Sequence, residues 1–186
     1  MAAGEDLELI ARIAQHDQAA LRLLFGRHHL RVFRYLARLV RNDAAAEELT
    51  NEVFAEVWRH AARFEGRSTV GTWILSIAHN RAASSLRKRR EEGWSEEQAL
   101  QLVDSADTPE VVAQKSDKAS ILRTCLEKLS PEHREIIDLV YYQEMSVGEV
   151  SAVVGIPEAT VKTRMFYARK KLSELLTNAG VDRGWP

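Results

Sequence analysis

Apolar residues recur at steps of three and four along most of this chain, and this spacing constrains its fold more than any other feature. Four prolines and nine glycines among 186 residues leave long uninterrupted segments, and the alternation typical of strands is nearly absent. Between Leu21 and Val40 the apolar positions form one amphipathic helix, for which the pattern leaves open a break at Gly26. The sequence therefore predicts an all-α fold.

Two further helices are predicted in the N-terminal half. Asn42 and Asp43 supply an N-cap and an acidic first turn. The helix that follows has an apolar stripe made of Leu49, Val53 and Val57, flanked by Phe54 and Trp58. A small polar loop at residues 66–69 separates it from a third helix, whose apolar residues are Trp73, Ile74, Ile77 and Ala78.

Charge is unevenly distributed along the chain, although the formal net charge is only −1. Residues 1–90 carry 15 basic and 10 acidic side chains, residues 91–116 carry one and seven, and residues 117–186 carry ten of each. Helical periodicity weakens across residues 91–116, where glycine, serine and proline appear among the acids. This composition predicts an exposed, partly flexible acidic linker between two small helical blocks.

Helical periodicity resumes in the C-terminal block with Ile121, Leu122, Cys125, Leu126 and Leu129. The triplet Ser130-Pro131-Glu132 then predicts a new helix, with an N-cap, proline in the first helical position and an acid in the first turn. Its expected buried stripe is Ile136, Ile137 and Val140.

A helix-turn-helix is predicted over residues 146–172. Ser146 and Glu149 have the spacing of a capping box, in which each side chain satisfies a free backbone donor of the other. Gly155 stands where a tight turn needs a residue that tolerates positive φ. A second helix restarts at Pro157, and its apolar face is Val161, Met165, Ala168 and Leu172.

Polar and basic residues occupy the rest of the second helix, and the major groove of DNA admits one such helix. Side chains on this surface can contact base edges and phosphates. An ordinary helical hairpin with a solvated basic surface is the alternative. It is disfavoured because the cap, the glycine turn and the basic helix fall in register. The predicted DNA-contacting residues are Glu158, Thr160, Lys162, Thr163, Arg164, Tyr167, Arg169 and Lys170.

Two charged surfaces are predicted in the N-terminal block. Glu48, Glu52 and Glu56 fall on one helical line, which by itself indicates a solvated acidic face. The third helix combines Trp73 and Asn80 with a basic end at residues 87–90, a mixture suited to stacking, base hydrogen bonds and phosphate contacts on unpaired DNA. A buried tryptophan and a basic helix end favoured by the helix dipole remain an alternative.

Three segments resemble bacterial sigma factors of the extracytoplasmic-function type: residues 43–58 (DAAAEELTNEVFAEVW), residues 64–90 (FEGRSTVGTWILSIAHNRAASSLRKRR) and residues 129–172, which include LSPEHREIIDLVYY. They occur in the family's order and cover most of the chain. The resemblance implies a region 2 domain at residues 1–90, the acidic linker at 91–116 and a region 4 domain at 117–186. The three parts would bind the promoter's −10 element, thread a basic polymerase channel and bind the −35 element, respectively.

The resemblance also assigns residues to these roles. Polymerase binding, through the clamp helices of the largest subunit, is implied for Asp43, Glu47, Glu48, Glu52, Val53, Glu56 and Trp58. Capture of the −10 strand, with a flipped base held by the loop, is implied for Glu65, Gly66, Arg67, Ser68, Thr69, Trp73, Asn80, Arg81, Arg87 and Lys88. Further implied partners are the polymerase flap, promoter DNA and a cognate anti-sigma factor. Within the −10 segment, Val70-Gly71, His79 and Ser84-Ser85 depart from the family's usual residues.

Other classes of protein fit the sequence less well. The histidines show no catalytic or metal-ligand spacing, phosphate-binding glycine motifs are absent, and Cys125 on an apolar stripe indicates a buried structural thiol. We therefore expect no enzyme activity, cofactor, metal, small-molecule substrate or membrane insertion, and a cytoplasmic location. Two alternatives stay open: a self-sufficient dimeric helix-turn-helix regulator, and a sigma mimic that sequesters an anti-sigma factor.

Overall fold

The computed structural model describes residues 2–93 and 117–180, and all regular secondary structure within these ranges is helical. The all-α prediction is therefore confirmed. Most of the predicted acidic linker (residues 94–116) and the C-terminal residues 181–186 lie outside the described residues. The chain divides into two compact units, built mainly from its N-terminal and C-terminal halves. No helix in the described ranges is long and apolar enough to span a bilayer.

The first unit consists of helices that pack around a shared apolar core. In chain order its elements are α1 (Ala2–Ile13), α2 (Gln18–Val40), α3 (Asp43–His60), a 3₁₀ turn (Ala61–Arg63) and α4 (Val70–Glu91). Helices α2, α3 and α4 all contact one another. The largest side chains with no more than 1% exposure in this core are Ile13, Leu24, Val32, Tyr35, Leu36, Val53, Val57, Ile74 and Leu75.

Helix α2 runs through Gly26 without interruption, so the break that the sequence left open does not occur. Gly26 is exposed, and a β-carbon built there would meet no atom within 4 Å. The glycine therefore costs only its intrinsic helix penalty, about 1 kcal/mol, while Leu24 and Val32 anchor the helix on either side. Asp17 caps the helix start by accepting from the Ala19 and Ala20 amides at 2.8 and 3.1 Å.

Helix α1 was not predicted from the sequence. It carries Gly4, it is short, and its buried positions Leu9, Ile10 and Ile13 span little more than one turn, too few for a periodic signal. By contrast, the predicted start of α3 is confirmed, because the Asn42 side chain accepts a hydrogen bond from the backbone amide of Ala45 at 2.8 Å.

The second unit contains α5 (Asp117–Glu127), α6 (Pro131–Ile137), α7 (Val147–Val154) and α8 (Glu158–Asn178). The predicted cap at Ser130 is confirmed by its bond to the amide of His133, at 3.3 Å. Helices α5 and α6 both contact α8. Their shared apolar cluster consists of Leu129, Ile137 and Ala168, with Leu126 and Leu175 packed against it.

Helix α6 passes into a π-helical segment, Asp138–Tyr142, that the sequence did not predict. A π turn contains one residue more than an α turn, so the side chains after it point in different directions from those of a continuous α-helix. As a result Leu139 is fully buried, Val140 is only half-buried, and Tyr141 and Tyr142 are exposed.

Candidate nucleic-acid interface

The capping box at the start of α7 is present in full. The Glu149 carboxylate accepts from the Ser146 backbone N–H at 2.9 Å and from its hydroxyl at 2.8 Å. In return the Ser146 hydroxyl oxygen accepts from the Glu149 amide at 3.3 Å. These bonds satisfy backbone donors that the helix itself leaves free, and they fix where α7 begins.

The turn between α7 and α8 has the geometry that Gly155 was predicted to supply. Its φ is +70°, a left-handed conformation that most L residues adopt only with strain. The Ser151 hydroxyl donates to the carbonyl of Ile156 at 2.6 Å and so ties α7 to the chain leading into α8. The structure thus confirms the predicted helix-turn-helix.

The outer surface of α8 carries most of the residues predicted to contact DNA. Val161 and Ala168 are buried and hold the helix on its unit, while Met165 and Leu172 are partly buried. Six of the eight predicted residues are exposed, namely Glu158, Lys162, Thr163, Tyr167, Arg169 and Lys170. The other two, Thr160 and Arg164, are half-buried and lie at the edges of this surface.

Sequence reasoning missed one aromatic residue on the same surface. Phe166 is 58% exposed, and its ring centroid lies 5.4 Å from that of Tyr167 in an edge-to-face arrangement. The available signal was its offset of five residues from Val161, which places it off the apolar face of the helix.

In the first unit, the predicted strand-binding loop lies between the 3₁₀ turn and α4. The Thr69 hydroxyl oxygen caps α4 by accepting from the amide of Thr72 at 3.1 Å. The loop turns at Gly66, whose φ is +69°. Its predicted contact residues Glu65, Gly66, Arg67 and Thr69 are exposed, and Ser68 is half-buried.

Helix α4 places Trp73, Asn80 and Arg87 on one face, because residues seven apart in an α-helix are two turns apart. Trp73 is half-buried and its ring centroid lies 5.0 Å from that of Phe64. Asn80, Arg87 and Lys88 are exposed. An aromatic ring, an amide and a guanidinium therefore follow one another along α4 from the loop onward.

Arg81, which was predicted to contact the −10 strand, pairs with carboxylates of α3. Its guanidinium donates to Glu56 and lies 3.5 Å from the Glu52 carboxylate. Glu56 also contacts Arg59 at 2.8 Å and His60 at 2.9 Å. Partial burial opposes ionisation of Glu56, but the charge and hydrogen bond of Arg81, together with the charges of Arg59 and His60, outweigh it and lower the pKa of Glu56. Arg81 thus joins α3 to α4.

The acidic face of α3 is consequently smaller than predicted. Asp43, Glu47 and Glu48 are exposed, whereas Glu56, with a side chain only 16% exposed, is engaged within the unit. Val53 is fully buried in the core, so its side chain cannot contact a partner and that assignment is corrected.

Trp58, the aromatic residue assigned to polymerase binding, is half-buried and packs near the His16 ring. The thiol of Cys125 is buried in the second unit, as predicted. Among the described residues, no group of three or more histidine, cysteine or acidic side chains is arranged to hold a metal ion.

The ion pair between α3 and α4 yields a stability prediction. Arg81→Ala should lower the free energy of unfolding by about 1–2 kcal/mol, because it removes a charged hydrogen bond from a half-exposed, partly screened site. Since the pKa of Glu56 is lowered in the folded state, this contribution is present at neutral pH and is lost as the pH falls through the lowered pKa. Urea unfolding at neutral and acidic pH measures both effects.

The matched variants are the reversal Arg81→Glu and the swap Glu56→Arg with Arg81→Glu. The reversal should be the less stable of the two, since it places a third carboxylate beside Glu52 and Glu56. Because the swap also places a cation beside Arg59 and His60, equal stability of the reversal and the swap would show that the pair contributes no more than this repulsion costs.

Comparison with known proteins places both units in one family. Residues 24–92 match Sigma-70 region 2 and residues 119–172 match Sigma-70, region 4. The ECF RNA polymerase sigma factor SigK of Mycobacterium bovis (strain BCG / Pasteur 1173P2) is 30% identical over 177 residues, which cover 93% of this chain and 95% of that protein. SigK of Mycobacterium sp. (strain KMS) is 31% identical over 168 residues, with coverage of 86% and 85%.

Solved structures show the same fold. The sigma factor RpoE of Bartonella quintana, solved in complex with the anti-sigma factor NepR, matches with a TM-score of 0.69 and 26% identity over 87% of this chain and 98% of its own. CnrH, solved with the cytosolic domain of CnrY, matches with a TM-score of 0.68 and 23% identity over 94% and 98%. Because both sigma regions and a nearly full-length relative agree, this chain belongs to the ECF sigma factors, which direct promoter-specific transcription initiation by RNA polymerase.

Proposed function

We propose that the chain is a bipartite promoter reader in which each unit has its own target. The C-terminal unit, residues 117–186, binds the −35 duplex through α8. The N-terminal unit, residues 1–90, docks on RNA polymerase and captures the melted −10 strand. Residues 91–116 form the acidic linker between them. Sigma factors are initiation factors rather than enzymes, and we assign this chain no catalytic residue.

The observation that carries the proposal is the exposed surface of α8 on its helix-turn-helix frame. The capping box, the positive φ of Gly155 and the buried Val161 and Ala168 hold the second helix in place. Its cationic and hydroxyl side chains then face outward, where they can contact phosphates and base edges of the major groove.

The −10 assignment is supported by the loop 65–69 and by the row Trp73, Asn80 and Arg87. Extruding a base costs a few kcal/mol, which stacking and phosphate contacts must offset. Phosphate contacts alone are weak and sensitive to salt. The N-terminal unit therefore needs polymerase to hold it on the promoter, and no covalent step by the chain is involved.

Polymerase docking is assigned to the exposed acids Asp43, Glu47 and Glu48 at the start of α3, with Glu52 beside them. The crystallised relative RpoE binds an anti-sigma factor, and we propose that a cognate anti-sigma factor also regulates this chain. Because RNA polymerase is the proposed docking partner, we also propose that the protein acts in the bacterial cytoplasm.

A gel-shift and run-off experiment tests the proposal against its two alternatives. The chain should bind duplex promoter DNA tightly and support run-off transcription only when core polymerase is added. Tight specific binding by the chain alone would identify a self-sufficient regulator. Stable binding to polymerase with no promoter-dependent transcript would identify a sigma mimic.

A further inference from the structure

Helix α1 contacts the elements on both sides of the loop at residues 64–69. It packs on the 3₁₀ turn Ala61–Arg63, which precedes the loop, and on α4, which follows it. It also packs on α2, and its buried apolar side chains are Leu9, Ile10 and Ile13. One helix therefore contacts both elements that flank the loop.

A buried carboxylate anchors α1 to α2. The Asp6 side chain is only 11% exposed, lies 2.8 Å from Nε2 of His28, and accepts a hydrogen bond from Nη1 of Arg27 at 2.9 Å. A buried carboxylate requires such partners to offset the loss of its hydration. Glu5 also contacts Arg27, at 2.7 Å, but its side chain is 57% exposed.

His28 in turn lies beneath the first turn of α4. A β-carbon built on Gly71 would lie 3.7 Å from Cε1 of His28 and 3.0 Å from Nη1 of Arg31. The first turn of α4 therefore lies against these two side chains of α2. Thr69, the cap of this turn, is the last residue of the loop.

We propose that Asp6 is a positioning residue for capture of the −10 strand. Through His28 it fixes the start of α4, and through α1 it supports both ends of the loop. The inference rests on the proposed function of that loop. Asp6 itself is buried, and it acts by holding the loop in place for the extruded base. Displacing a binding group by as little as 1 Å can reduce reactivity on the order of 100-fold.

The test uses holoenzyme assembled from core polymerase and the full chain. The probe is a fork-junction DNA with a single-stranded −10 element, taken from a promoter that the wild-type holoenzyme selects from a randomised duplex library. Asp6→Asn removes the charge and keeps the shape. We expect it to weaken fork binding about tenfold, with the affinities for core polymerase and for the −35 duplex unchanged. Asp6→Glu should recover part of the loss.

Glu5→Gln is the matched control, because it removes an acid from the same Arg27 without contacting His28, and it should bind the fork as wild type does. His28→Gln tests the contact between His28 and α4 separately from the contact between Asp6 and His28. The glutamine amide can still donate to Asp6, but it lacks the ring edge that faces Gly71. It should therefore also weaken fork binding.

Equal fork affinity of wild type and Asp6→Asn would overturn the inference. So would an equal loss of fork, polymerase and −35 binding, since that pattern indicates a structural role only. If wild-type holoenzyme selects a −35 sequence but does not bind the fork, the −10 assignment of the proposed function fails, and the inference fails with it.

Discussion

Replacing Lys162 and Lys170 with glutamate should lower −35-dependent run-off transcription about 100-fold. Both side chains are exposed on α8, two turns or more apart on the surface that faces outward from Val161 and Ala168. On the proposed function, each substitution removes a phosphate contact and adds a repulsive charge. A lost specific contact costs about 1–3 kcal/mol, and a lost phosphate contact reduces the salt dependence of binding by about one counterion.

Two measurements separate this effect from damage to the fold. The double variant should bind core polymerase as wild type does and should still transcribe from a template whose −10 region is already unpaired. Lys128→Glu makes the same charge change at an exposed position outside the helix-turn-helix and should leave transcription unaffected. Loss of polymerase binding together with −35 recognition would contradict the proposal that the C-terminal unit binds the −35 duplex while the N-terminal unit docks on polymerase.

Alanine at Asn80 and Arg87 together should slow open-complex formation by about tenfold or more. Both side chains are exposed on the face of α4 that begins at Trp73, and each lost hydrogen bond to the strand should cost about 0.5–1.5 kcal/mol, or more where a charge takes part. Trp73→Ala should act in the same direction, although part of its effect will come from the lost contact with Phe64. Permanganate reactivity of the −10 thymines over time measures the rate.

The −35 duplex provides the internal reference for these variants. Binding of the holoenzyme to a duplex that contains only the −35 element should be unchanged, as should initiation by Gln15→Ala, which removes an exposed amide elsewhere in the same unit. If −35 affinity falls as much as the rate of opening, α4 is not the strand-binding element.

Local sequence signals predicted the helix-turn-helix closely. The residues that determine it are near one another in the chain, so spacing alone identifies the capping box of Ser146 and Glu149 and the left-handed turn at Gly155. The same holds for the caps of Asn42 and Ser130. Each of these features depends on backbone groups within four residues, which is the range over which a sequence can be interpreted without tertiary contacts.

Features that depend on distant residues could not be predicted in this way. Nothing near Arg81 in the sequence shows that it faces Glu56, which lies 25 residues away on another helix. Helix spacing assigned Val53 to the apolar stripe, whereas the resemblance suggested it as a polymerase contact. Its complete burial in the structure supports the first assignment. The anchoring of α1 by Asp6 is a further contact of this kind, with a separation of 22 residues from His28.

The helix-turn-helix separates the residues that build its frame from those on the outer surface of α8 that are proposed to contact DNA. The frame depends on Ser146, Glu149 and Gly155, together with the buried Val161 and Ala168, and none of these is an exposed cation or amide of α8. The outward residues can therefore be exchanged without disturbing the fold. A set of chains that differ only at these outward positions would direct the same core polymerase to different promoters.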